Sequence, residues 1–94
     1  MPLSILELSR ARETVARILE EMGLEAFLFE IEPRSGAWEL KVECAIDSEG
    51  GWETLTLVVP AELLGAAASG EPQAYGQLLS QWKGQLAACR RHET

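Results

Sequence analysis

Apolar and polar positions change their period three times along this chain. Ile5, Leu8, Ala11, Val15, Ile18, Leu19 and Met22 recur at helical spacing, while Arg10, Glu13, Arg17, Glu20 and Glu21 fall on the opposite side. Ser4-Ile5-Leu6-Glu7 reads as a capping box that starts this helix, and Gly23 as the residue free to take positive φ where it stops. Leu24 then follows at a position where it can touch Leu19. Glu13–Arg17 and Arg17–Glu21 are four apart and suited to pairing along the helix surface.

From residue 24 the period becomes two. In 24–33, Phe27, Phe29 and Ile31 share one face, with Ala26, Leu28, Glu30 and Glu32 on the other. In 38–47, Trp38, Leu40, Val42, Cys44 and Ile46 alternate with Glu39, Lys41, Glu43, Ala45 and Asp47. In 52–59, Leu55, Leu57 and Val59 alternate with Trp52, Thr54, Thr56 and Val58. Pro33-Arg34-Ser35-Gly36 and Ser48-Glu49-Gly50-Gly51 are the turns between these runs, which together read as an antiparallel β-meander. In the first hairpin a four-residue loop sets Glu30 opposite Lys41, whereas a shorter one sets Glu30 opposite Glu39. Opposite charges favour the former register, which still leaves Glu32 facing Glu39.

Helical spacing returns after Pro60. Residues 61–68 read as a short helix closed by Ser69-Gly70. Pro72 opens another, expected to run to about Arg91, with Tyr75, Leu78, Leu79, Trp82, Leu86 and Cys89 on its apolar stripe and His92-Glu93-Thr94 as a frayed end. The fold class is therefore α+β: a single domain over 1–94, of order α-β-β-β-α-α, with the helices packed on one face of a three-stranded antiparallel meander.

Charge sharpens this picture. The net charge of −7 is concentrated in 24–59, where Arg34 and Lys41 stand against Glu25, Glu30, Glu32, Glu39, Glu43, Asp47, Glu49 and Glu53. Such a field repels a phosphate backbone, so nucleic acid is not an expected partner. No apolar run is long enough to span a membrane, and Met1-Pro2-Leu3-Ser4 lacks the features of a signal peptide, so a cytoplasmic location is expected. Cys44 and Cys89 both fall on apolar faces and are read as buried, reduced thiols.

Candidate chemistry is sparse. The sole histidine, His92, lies near the end of the sequence, and two isolated cysteines supply no metal-ligand spacing, so no catalytic residue, metal or cofactor is assigned. Gly50-Gly51 lacks the Lys-Ser/Thr of a phosphate loop. The outer-face carboxylates Glu30, Glu32, Glu39, Glu43 and Asp47 are the nearest thing to an acid–base or hard-cation site, which is the alternative to a binding function. Two surfaces stand out as candidate interaction sites. One is the acidic sheet face with Glu30, Glu43 and an exposed Trp52. The other is the row Gly76, Ser80, Gly84 and Ala88, whose small side chains would let a second backbone approach, either the short helix at 66–68 or another subunit. The function expected is a non-enzymatic protein-interaction or adaptor/chaperone-like role, as a homodimer, with any small-molecule ligand left open. The alternative is a small enzyme or a ligand- or cation-binding protein using the outer-face carboxylates.

The order α-β-β-β-α resembles the double-stranded RNA-binding domain in topology. That family reads RNA with basic residues at the start of its last helix, where this chain has Gly70-Glu71-Pro72-Gln73-Ala74. The order, small size and acidity are also similar to the type III secretion chaperones, a resemblance that implies an acidic dimer wrapping a client segment. This chain lacks room for that family's additional strands.

Overall fold

A computed structural model describes residues 5–92, so the Ser4 side of the capping box and residues 93–94 lie outside the described residues. The expected order is found. It comprises α1 (Ile5–Glu21), β1 (Phe27–Arg34), β2 (Ala37–Ala45), β3 (Trp52–Pro60), α2 (Ala61–Ala68) and α3 (Pro72–Gln85). The sheet is an open antiparallel meander, β1-β2-β3, and no described helix is long and apolar enough to cross a membrane.

Helix α1 buries Ala11, Val15, Ile18 and Leu19, and Met22 just beyond it, against the sheet. Its stripe is shorter than the periodicity predicts: Ile5 is 88% exposed, because no described element covers the first turn. The Glu13–Arg17 and Arg17–Glu21 pairs do not close to ion-pair distance; the described ion pairs are Arg34 with Glu32 and Glu39, and Arg90 with Glu25. Gly23 takes φ 76° and its N–H donates to the Glu20 carbonyl, turning the chain toward β1. Leu24 is buried in the same core as Leu19.

In the first hairpin Glu30 stands opposite Lys41 and Glu32 opposite Glu39, the expected register. The loop is tighter than expected. Pro33 pairs with Trp38 and Arg34 with Ala37, which leaves Ser35-Gly36 as the connection and Gly36 at φ 69°. Arg34 explains how this register is tolerated, since its guanidinium bridges the Glu32 carboxylate at 3.0 Å and that of Glu39. The second ladder ends at Ala45 opposite Trp52. Ile46 and Asp47 therefore belong to the loop, not to the two strand faces. Ile46 is exposed, and the Asp47 carboxylate accepts the backbone N–H groups of Gly51 and Glu49, both at 2.9 Å. Those two bonds, Gly51's first, hold the Asp47 carboxyl below its usual value.

The core lies between the sheet's inner face (Ile31, Trp38, Leu40, Val42, Cys44, Leu57, Val59) and the helices, with Trp82 and Leu78 of α3 fully enclosed. Phe27, Phe29 and Leu55 are half-buried along its margin. Helix α3 ends at Gln85 rather than near Arg91. The cause is a strap that follows it. Cys89 is joined to Cys44 by a disulfide, which corrects the expectation of two reduced thiols. Beyond it the N–H of Arg90 donates to the Ala45 carbonyl (2.8 Å), the N–H of Glu25 to the Arg90 carbonyl (2.9 Å), and the N–H of His92 to the Gly23 carbonyl (2.7 Å). A continuing helix could not make these strand-like bonds, and His92 is held by them rather than frayed.

Candidate functional site

The uncovered face of the sheet is the first candidate surface. Alternation along three registered strands builds it as cross-strand rows: Leu28–Glu43–Thr54, Glu30–Lys41–Thr56 and Glu32–Glu39–Val58. Trp52, opposite Ala45, stands at the end next to the first of these. All three helices pack on the other face, which leaves Leu28 64%, Val58 74% and Trp52 49% exposed. Three apolar side chains thus stand in an acidic surround. Trp52 and Val58 are six residues apart on β3, or about 20 Å. The sequence marked Trp52, Glu30 and Glu43 here, and the structure brings them onto one face; Leu28 and Val58 were placed on it but not singled out.

The carboxylates on this face are not arranged as an acid–base pair. Glu32 and Glu39 are the closest in register, and Arg34 occupies the space between them. The hydrogen bond from Arg34 to Glu32, followed by the charge of Glu39, raises the guanidinium further above its already high value. Among the described residues no group of three or more His, Cys, Asp and Glu is gathered as a metal site.

Gly76, Ser80, Gly84 and Ala88 do not form one continuous row. The first three are exposed on α3, opposite the buried Ala74, Leu78 and Trp82, whereas Ala88 lies in the turn beyond the end of the helix. A Cβ added at Gly76 or Gly84 would meet nothing within 4 Å. The expected close approach to residues 66–68 is therefore absent: α3 meets α2 through the side that carries Ala74, not through its glycines.

A second surface was not foreseen. A cleft of about 710 Å³ opens between the start of α1, the tip of the β1–β2 hairpin and α2. Trp38 and Leu64 line its base, both nearly fully buried, and Ala11, Ala37, Ala61 and Gly65 line its walls. The hairpin and α2 are joined here by the N–H of Ala61 donating to the Gly36 carbonyl at 3.1 Å. Gly65 lies inside α2, where glycine costs about 1 kcal/mol relative to alanine. A Cβ there would meet nothing within 4 Å. Arg10 lies at the cleft without a hydrogen-bond or ion-pair partner for its guanidinium among the described residues, and Glu7 stands one turn before it. The only sequence signal for the cleft was small residues at spaced positions in 61–68, which read there as a helix and nothing more.

Comparison with protein-family models, with curated proteins and with solved structures finds no match to this chain.

Proposed function

We propose that this domain acts by binding another protein through the uncovered face of its sheet, without catalysing a reaction. The observation that supports this is the exposure of Leu28, Trp52 and Val58 on a regular, acidic β-surface. Interface anchors are typically aromatic and apolar side chains set in a polar surround, and complementary charge speeds and orients docking. The fitting partner is a basic segment that carries apolar side chains at intervals matching the Trp52–Val58 span.

The test compares immobilised wild type with a Leu28→Ser, Trp52→Ser, Val58→Thr variant. A basic protein retained by wild type, lost from the variant and weakened by salt supports the reading. If wild type retains nothing, or the variant retains everything wild type does, the reading fails.

Self-association is favoured by a different observation, the exposed Gly76, Ser80 and Gly84 on α3. The acidic sheet face repels a copy of itself, so a homodimer would form through α3. It predicts a light-scattering mass near twice 10.3 kDa that Gly84→Glu halves, and a monomeric wild type would refute it. The disulfide suits an oxidising compartment better than the cytoplasm expected from the sequence, because such bonds persist where thiols are not kept reduced.

A further inference from the structure

We infer that the cleft between α1, the β1–β2 hairpin and α2 binds a small organic anion, a single carboxylate carried on an apolar body. This is independent of the sheet face, whose failure as a docking surface would leave it standing.

Three observations carry the inference. Size is the first, since about 710 Å³ lies within the range of sites that enclose small ligands. The second is how the space is kept open. Small residues, Ala11, Ala37, Ala61 and Gly65, are among its lining, and a Cβ added at Gly65 would meet nothing within 4 Å. Glycine is unfavourable within a helix, yet α2 carries one where its missing side chain opens onto the cleft. Charge is the third. In a chain of net charge −7, the Arg10 guanidinium is a cation without a partner among the described residues, whereas Arg34, also at the cleft, is engaged by Glu32 and Glu39. A carboxylate is the group that accepts two parallel hydrogen bonds from a guanidinium. Glu7, one turn away, disfavours a second negative charge on the same ligand. Trp38 and Leu64 at the base accept the apolar body.

The test is a titration of labelled protein followed by two-dimensional amide NMR. Decanoate and a naphthalene carboxylate are the separate probes, to distinguish an aliphatic body from an aromatic one. At least one is expected to give saturable shifts at Ala11, Gly65 and the Trp38 indole. Gly65→Leu, which projects a bulky side chain into the cleft, should weaken them, and Gly65→Ala should retain them. Arg10→Gln should weaken binding about tenfold, the effect of losing one hydrogen bond to a charged group. Decanol, without the charge, should bind wild type and Arg10→Gln alike. The inference is overturned if neither probe saturates, if shifts centre on Leu28, Trp52 and Val58, or if Gly65→Leu binds as wild type does. Equal carboxylate affinity in wild type and Arg10→Gln overturns the assignment of an anion. Should Gly65→Leu fail to fold, Gly65→Ala and Arg10→Gln decide the matter by the same readout.

Discussion

Reducing the Cys44–Cys89 disulfide should cost this domain much of its stability, and the structure gives the size of the effect. The bond closes a loop with a sequence separation of 45. In the chain-entropy account, opening a loop of that length returns about 4 kcal/mol of conformational freedom to the unfolded chain. Single domains are stable by only about 5–15 kcal/mol, so this is a large fraction of the whole. For a chain near this length it corresponds to a fall of roughly 15–30 °C in Tm. Reduction also has a local signature. The strap is held by the N–H groups of Arg90, Glu25 and His92, bonded to Ala45, Arg90 and Gly23, and by the Arg90–Glu25 ion pair at 3.0 Å. These three amides should lose exchange protection before those of Leu40 and Val42, whose side chains lie in the fully buried centre of the sheet.

The assay is thermal unfolding by circular dichroism with and without excess dithiothreitol, beside a thiol count by alkylation in denaturant. Reduced wild type is a better reference than Cys→Ala variants. It keeps both sulfurs in the core, where Cys44 is 0% and Cys89 4% exposed, and adds no cavity loss. Two alkylated cysteines in denatured, unreduced protein would refute the pairing. An unchanged melting temperature on complete reduction would refute the energetic argument.

Three further outcomes follow from the same geometry. Gly65→Ala should raise stability by about 0.5–1 kcal/mol in urea unfolding, since φ is ordinary there and the space is open; a loss would show the position to be crowded. Tyr75, the sole tyrosine, should titrate at about 12, raised by desolvation and then by its hydrogen bond to Glu21. Its folded value lies above the unfolded 10.0, so its contribution to stability is complete below pH 10 and is lost as pH rises through about 12; Tyr75→Phe should remove that alkaline loss, and ultraviolet titration of tyrosinate reads the value directly. Arg34→Gln should leave Glu32 facing Glu39 uncompensated and lower the melting temperature by an amount that added salt restores; a salt-independent loss would point to packing instead.

The strands were legible because each carries its own test. Alternation over 38–47 divides β2 into two chemically different faces, and slipping its pairing by one residue would put Lys41 and Glu43 in the core. The register followed from matching Glu30 to Lys41, although the means of tolerating Glu32 beside Glu39, a guanidinium from the hairpin's own end, did not. Errors gathered where elements stop. Ile46 and Asp47 continue the alternation perfectly, but pairing ends at Ala45 because the loop to Trp52 needs them. Cys89 keeps the α3 stripe at helical spacing, yet the chain leaves the helix at Gln85 to reach Ala45 and Cys44. A buried cysteine and a disulfide-bonded one occupy the same apolar position in the pattern, and a sequence separation of 45 gives no local sign of pairing.

The cleft was not legible for a different reason: it consists of atoms that are missing. Three glycines lie inside helices, Gly65, Gly76 and Gly84, and a Cβ added to any of them would meet nothing within 4 Å. Spacing drew attention to Gly76 and Gly84, which recur with Ser80 at intervals of four, and passed over Gly65. Tertiary neighbours reverse that ranking. Gly84 faces outward from the last turn of α3, and Gly76 borders a shallower depression beside Tyr75 and Leu79. Gly65 faces a volume bounded by α1, the hairpin and α2, with Trp38 at its base and Arg10 unpaired among the described residues beside it. The same local loss of helix stability at all three positions therefore has different consequences, and only at Gly65 does it coincide with an open cleft of about 710 Å³ that has both buried apolar side chains and an uncommitted charge in its lining.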